Sequence, residues 1–130
     1  MSTLKVTTIQ DTSGSNASTS EEINEGRAKA WGNFDGTGTI NIRDSFNVSS
    51  IVDVQTGVMT VNLSNAMADT NYSLLLAYGR SSTTNQTSES ISAFDFASRT
   101  TSSVKIRTGN SENNQNSDTE ILNMAIFGDQ

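Results

Sequence analysis

Five aspartates, Asp35, Asp44, Asp53, Asp69 and Asp95, are the residues best suited to chemistry in a chain with no histidine and no cysteine. Two carboxyl groups about 5–10 Å apart across a cleft can hydrolyse a glycosidic bond, one as acid and the other as nucleophile or base. Their neighbours argue for a different role. Most stand beside Gly, Asn, Ser or Thr at expected strand ends, where Asp ordinarily closes turns and caps. Without His there is no imidazole base, no Ser-His-Asp relay and no usual transition-metal ligand. Without Cys there is neither a thiolate zinc site nor a disulfide scaffold. The expectation is a chain with no catalytic residues, no cofactor and no metal.

Other residue patterns point to binding at most. Asp35-Gly36-Thr37-Gly38 has the glycines of a phosphate loop but neither the Lys nor the following helix, so it reads as a tight turn. Asp and Asn in residues 110–120 offer oxygen ligands for a hard cation, yet the EF-hand spacing is absent. Five Asn-x-Ser/Thr sequons, at Asn16, Asn47, Asn62, Asn71 and Asn85, are what chance gives in a chain with 20 Ser, 17 Thr and 14 Asn. Trp31 can stack on a sugar, but beside Ile23 and Phe34 it reads as a core or subunit-interface anchor. Two polar loops, residues 80–90 and 109–120, carry Arg80, Asn85, Asn110 and Asn114. Loops held on a rigid scaffold are where recognition usually sits, and amide and hydroxyl groups suit hydrogen bonding to glycans. Plain solvation is the simpler use of them.

Composition limits partners. Net charge is −6, and three Lys and five Arg are scattered singly, so no basic stripe exists for nucleic acid or for a membrane surface. The longest apolar run falls far short of the roughly 20 residues of a spanning helix. The opening MSTLKVTTIQ has neither the basic start nor the apolar run of a signal peptide.

The elements that must position these residues are mostly strands. Leu4 to Gln10 alternates, with Leu4, Val6 and Thr8 on one side and Lys5, Thr7 and Ile9 on the other, and a polar connector follows. A lone strand so connected pairs with something: an edge of its own domain, or a neighbouring protein by strand addition through Leu4, Val6 and Ile9. Thr19 and Glu22 form a capping-box pattern, which predicts a short helix to about Ala30 with Ile23, Ala30 and Trp31 near one face. From Trp31 the period is two: Ile40 with Ile42, Phe46 with Val48, then Met59, Val61 and Leu63 after a Val54–Val58 hairpin corner. Tyr72–Tyr78 reads as the central strand, Ile91–Ala97 and Val104–Thr108 as two more, and Ile121–Phe127 as a buried last strand. About seven short strands at this spacing predict a mostly β chain: an antiparallel sandwich or jelly-roll-like domain behind an extended arm and a short helix. The expected division is an arm at 1–19, a helix and trimerisation region at 20–34, and a sandwich at 35–130.

Three stretches carry a family resemblance: LKVTTIQDTSG (4–14), AKAWGNFDGTGTINIRDSFNVSSI (28–51) and VNLSNAMADTNYSLLLAYG (61–79). They resemble segments of small virion structural and tail-fibre-like proteins of marine tailed bacteriophages, of the cyanophage and pelagiphage type. The look-alikes often carry a hydrophobic or β-branched residue at the position of Gly32. The resemblance implies a non-enzymatic, homotrimeric virion component made in the host cytoplasm. Its arm would hold another virion protein through Leu4, Val6 and Ile9, and Ile23, Trp31 and Phe34 would face the other subunits. The exposed β domain would project as a short fibre or spike and contact a host glycan or protein. Capsid decoration, and a lectin-like glycan-binding domain, are the alternative functions.

Overall fold

The computed structural model describes residues 1–79, 89–93, 98–110 and 115–130. Its strands form two antiparallel sheets packed as a sandwich, with a short strand pair and one helix ahead of them. The pair is β1 (Thr8–Ile9) and β2 (Ser18–Thr19), with Thr8 opposite Thr19. Helix α1 (Ser20–Gly26) follows directly, and its start obeys the expected capping box. The Thr19 hydroxyl accepts from the Glu22 N–H at 3.1 Å, while the Glu22 carboxylate accepts from the Thr19 N–H at 2.7 Å.

The helix ends four residues before the expected Ala30. Gly26 is a poor helix former, and the chain beyond it is recruited by the sheet: the Lys29 N–H donates to the Ile126 carbonyl at 2.7 Å. Ala30 and Trp31 therefore open β3 (Ala30–Asp35), which runs across the expected boundary between residues 34 and 35. The helix region and the sandwich share this strand.

The first sheet takes the order β4 (Asn41–Phe46), β3, β11 (Ile121–Phe127), β7 (Ser73–Gly79). The LLL run of β7 was expected at the centre and lies at an edge, while β3 and β11 are central. The second sheet is built on β5 (Val48–Gln55), β6 (Val58–Leu63) and β9 (Ser103–Asn110), with β8 (Glu89–Ala93) and β10 (Gln115–Asn116) both pairing with β9. The β5–β6 hairpin turns at Gly57 with φ of 66°, as the Gln55-Thr56-Gly57 pattern requires. Residues 94–97, expected in the strand with Ile91, lie outside the described residues.

Phe46 and Val48 do not share a face. Asn47 between them has φ of 57°, and there the chain leaves the first sheet for the second. Its side chain holds the corner: Nδ2 donates to the Lys29 and Asn65 carbonyls at 3.0 and 3.1 Å, and Oδ1 accepts from the Asn65 N–H at 2.7 Å. An asparagine tolerates this left-handed backbone better than most residues.

The core lies between the sheets. Ala30, Phe34, Leu122, Met124 and Ile126 meet Met59, Val61, Leu63, Val104 and Ile106, all buried. Gly32 makes room for Phe34, because a Cβ there would stand 2.2 Å from the ring Cζ. Tyr72 closes one end; its hydroxyl donates to the Thr100 carbonyl at 3.0 Å, and the Arg99 guanidinium sits 4.9 Å from its ring centre.

Candidate functional site

Three of the five aspartates are occupied locally. Asp35 Oδ1 accepts from the Thr37 hydroxyl and N–H at 2.6 and 3.0 Å, shaping the expected tight turn, and Oδ2 pairs with Arg43 at 2.7 Å. The Thr37 hydrogen bonds, aided by the Arg43 charge, hold its carboxyl below the usual range. Asp69 binds the Asn71 N–H at 2.7 Å, and Asp44 the Ser45 N–H at 2.8 Å. Asp53 lies exposed on β5, and Asp95 lies outside the described residues. Asp118, in the stretch considered for a cation, instead accepts from the Gly57 N–H at 2.6 Å and fastens the hairpin. Among the described residues no three acidic groups cluster as metal ligands.

The feature that stands out is a surface. In β3, Ala30, Gly32 and Phe34 point into the core, so Trp31, Asn33 and Asp35 point away from it. Register places Trp31 opposite Phe46 on one side and Ala125 on the other, and Ala125 opposite Leu75. Four strands thus present one cross-strand row, Phe46–Trp31–Ala125–Leu75, on the outer face of the first sheet. Phe46, Trp31 and Leu75 are 50%, 39% and 53% exposed. The next row holds Asp44, Asn33, Asn123 and Ala77, with Asn33 donating to Asn123 at 2.6 Å. On the outer face of the second sheet Thr60 lies opposite Lys105 and Val52, itself 48% exposed, and Asn62 lies opposite Ser50 and Ser103.

No family model, curated protein or solved structure matches this chain. The residues themselves carry the reading.

Of the three expected interface residues, the structure brings only Trp31 to this face. Phe34 is fully buried in the core on the opposite side of the strand, which removes it from any contact surface. Ile23 is exposed on α1. Phe46, Leu75 and Ala125 complete the face and were missed; the middle residue of Leu74-Leu75-Leu76 must point away from its neighbours in any strand, a signal present in the sequence.

Leu4, Val6 and Ile9 are all exposed, as is every residue from 1 to 17. Strand pairing within this segment is limited to Thr8 and Ile9, not the whole of Leu4–Gln10. Asp11 organises the following turn, accepting from the Ser13 hydroxyl, the Ser15 N–H and the Asn16 amide, which lower its pKa to about 2. Lys29, almost wholly buried, ties α1 to the sandwich by donating to the Asn24 carbonyl and side chain at 2.6 and 2.8 Å. Arg80, Asn85 and Asn114 of the expected binding loops lie outside the described residues. Asn110 ends β9, with Gln115 and Glu89 as its register partners.

Proposed function

We propose that this chain is a non-enzymatic structural component of a bacteriophage particle, a short appendage fastened through residues 1–19 with its sandwich exposed. The observation that carries the reading is the exposed apolar set Leu4, Val6 and Ile9 on a segment whose strand pairing, among the described residues, is with Ser18 and Thr19. Side chains alternating along an extended segment suit addition to a sheet edge of another protein, where main-chain bonds give affinity and alternate side chains fill pockets. The three family-like stretches support the choice of particle. Lys29 supports a fixed placement of the helix against the sandwich, so that a grip on residues 1–19 is passed to the domain.

Immunogold electron microscopy of purified particles, with antibody raised against the folded sandwich, tests this reading. Gold at the tail supports an appendage that meets the host surface. Gold over the head supports capsid decoration. Particles that carry no gold while the infected-cell lysate contains the chain would overturn the particle role.

A further inference from the structure

We propose that the outer face of the first sheet binds an uncharged glycan, with sugar rings stacked on Trp31 and Phe46 and hydroxyl groups held by Asp44, Asn33 and Asn123. Register sets the two aromatic side chains directly opposite each other on neighbouring strands, about 5 Å apart, and both are exposed. The exposed aromatic rings of the described residues, Trp31, Phe46 and Tyr78, all belong to this sheet. The exposed apolar residues of the second sheet, Val52 and Val54, are aliphatic and offer no flat ring. The face of an aromatic ring carries negative charge density. The axial C–H bonds of a pyranose with equatorial hydroxyls carry the complementary positive density. A sugar so stacked turns its hydroxyl groups sideways, where it needs donors and acceptors.

The adjoining row supplies them. Two residues along the strands, about 7 Å away, Asp44, Asn33 and Asn123 stand side by side. The Asn33 amide donates to Asn123 Oδ1 at 2.6 Å, and Asp44 Oδ1 accepts from the Ser45 N–H at 2.8 Å. That leaves Asn33 Oδ1 and Asp44 Oδ2 as acceptors and the Asn123 amide as donor, each without a partner among the described residues. Sugar hydroxyls, each a donor and an acceptor, match this set. The bond between the two asparagines already orders both side chains, so little freedom is lost when a ligand arrives.

Charge and size narrow the occupant. The charged residues of the four strands are Asp35, Arg43 and Asp44. Arg43 is taken up by Asp35 at 2.7 Å and the Glu120 carbonyl at 2.6 Å, which leaves no cation for an acidic sugar. A chain of net charge −6 repels a second copy of itself. Four strands about 4.8 Å apart and six residues of about 3.3 Å each give a face of roughly 400 Å². That is half of the roughly 800 Å² each partner contributes to a standard protein interface, yet room for a short stretch of sugar chain. This inference does not rest on the particle role, and its failure would leave attachment through residues 1–19 standing.

Proton–nitrogen NMR titration of the full chain tests it, with cellotetraose and, separately, tetra-N-acetylchitotetraose as neutral probes. Trp31 is the only tryptophan, so its indole N–H gives a single signal. That signal and the Asn33 and Asn123 side-chain amides should shift saturably with at least one probe. The Kd should be on the order of 1 mM, because one side of the sugar stays in water. Trp31→Ala and Asn123→Ala, each with unchanged circular dichroism, should weaken binding about tenfold and about fivefold. Trp31→Phe should keep most of the affinity and Val52→Ala, on the second sheet, all of it. No saturable shift with either probe, shifts confined to other surfaces, or binding indifferent to both alanine variants would overturn the proposal. So would equal affinity for tetragalacturonate, an acidic chain that this face should exclude. Loss of particle attachment in Trp31→Ala without any sugar binding would make the face a protein contact and overturn the proposal as well.

Discussion

Replacing Gly32 by alanine should destabilise the fold although it adds one methyl group to a strand. Gly32 points inward, and the new Cβ would lie 2.2 Å from Cζ and 2.6 Å from Cε1 of Phe34. Carbon atoms in contact sit about 3.5–4.0 Å apart, so the ring must retreat by more than about 1 Å. Phe34 is fully buried between Leu122, Met124 and the opposite sheet, and overpacking of such a core costs about 1–3 kcal/mol. The alanine gives back about 0.5–1 kcal/mol, because glycine loses more backbone freedom on folding. The net expectation is a loss of about 1–2 kcal/mol, or a fall in Tm of roughly 4–8 °C for a chain of this length. Urea and thermal unfolding followed by circular dichroism measure it. Combining Gly32→Ala with Phe34→Leu should cost less than the sum of the two, since the shorter side chain vacates the space the methyl needs. A Gly32→Ala protein as stable as the parent, or additive losses in the double variant, would refute the packing described here.

Other perturbations separate the remaining contacts. Asn47→Ala should cost about 2–4 kcal/mol, from the left-handed backbone together with the lost bonds to Lys29 and Asn65, whereas Asn47→Gly keeps the backbone free and should cost less, about 1–2 kcal/mol. Urea midpoints in that order are the check, and equal losses would contradict it. Burial raises the pKa of the Tyr72 phenol in the folded state, with the Arg99 charge opposing in part. Its unfolded counterpart ionises near pH 10, so the stabilisation is whole below about pH 10 and is lost as pH climbs toward the folded value. Melting curves between about pH 8 and 11 should steepen downward for the parent and flatten for Tyr72→Phe; parallel curves would remove Tyr72 as the cause.

How far the sequence is legible follows from the physics of each segment. The helix start could be read because Thr19 and Glu22 satisfy each other's backbone locally, and no distant residue is needed. Its end could not, since Lys29 and Ala30 are claimed by β11, nearly a hundred residues further on. The sandwich class and the Ile121–Phe127 strand were legible because alternation is a property of the strand itself. Which strand is central is a property of the ladder, and Leu74–Leu76 misled: its apolar run marks an edge strand with one leucine on the outer face. Asn47 hid the corner, as a single positive-φ residue leaves no mark in the hydrophobic pattern.

The exposed apolar face was half legible. Trp31 was singled out, but grouping it with Phe34 on one surface required a helix. The two are three residues apart, and in a strand an odd separation sends them to opposite faces. Phe34 went inside because Gly32, two residues earlier, leaves space for its ring, and Trp31 was turned outward as a consequence. Phe46 and Ala125 reach it only through register, which pairs residues 46, 31 and 125 from three separate stretches.

The central claim, that residues 1–19 fasten an exposed sandwich to a particle, is tested most directly by removing residues 2–18 and measuring how much chain co-purifies with particles. The sandwich without them should fold, with unchanged circular dichroism and Tm, because those residues supply no core side chain. Particles assembled in its presence should carry the full chain and exclude the shortened one when the two compete. Equal incorporation of a folded, shortened chain would contradict the account and transfer attachment to the sandwich itself.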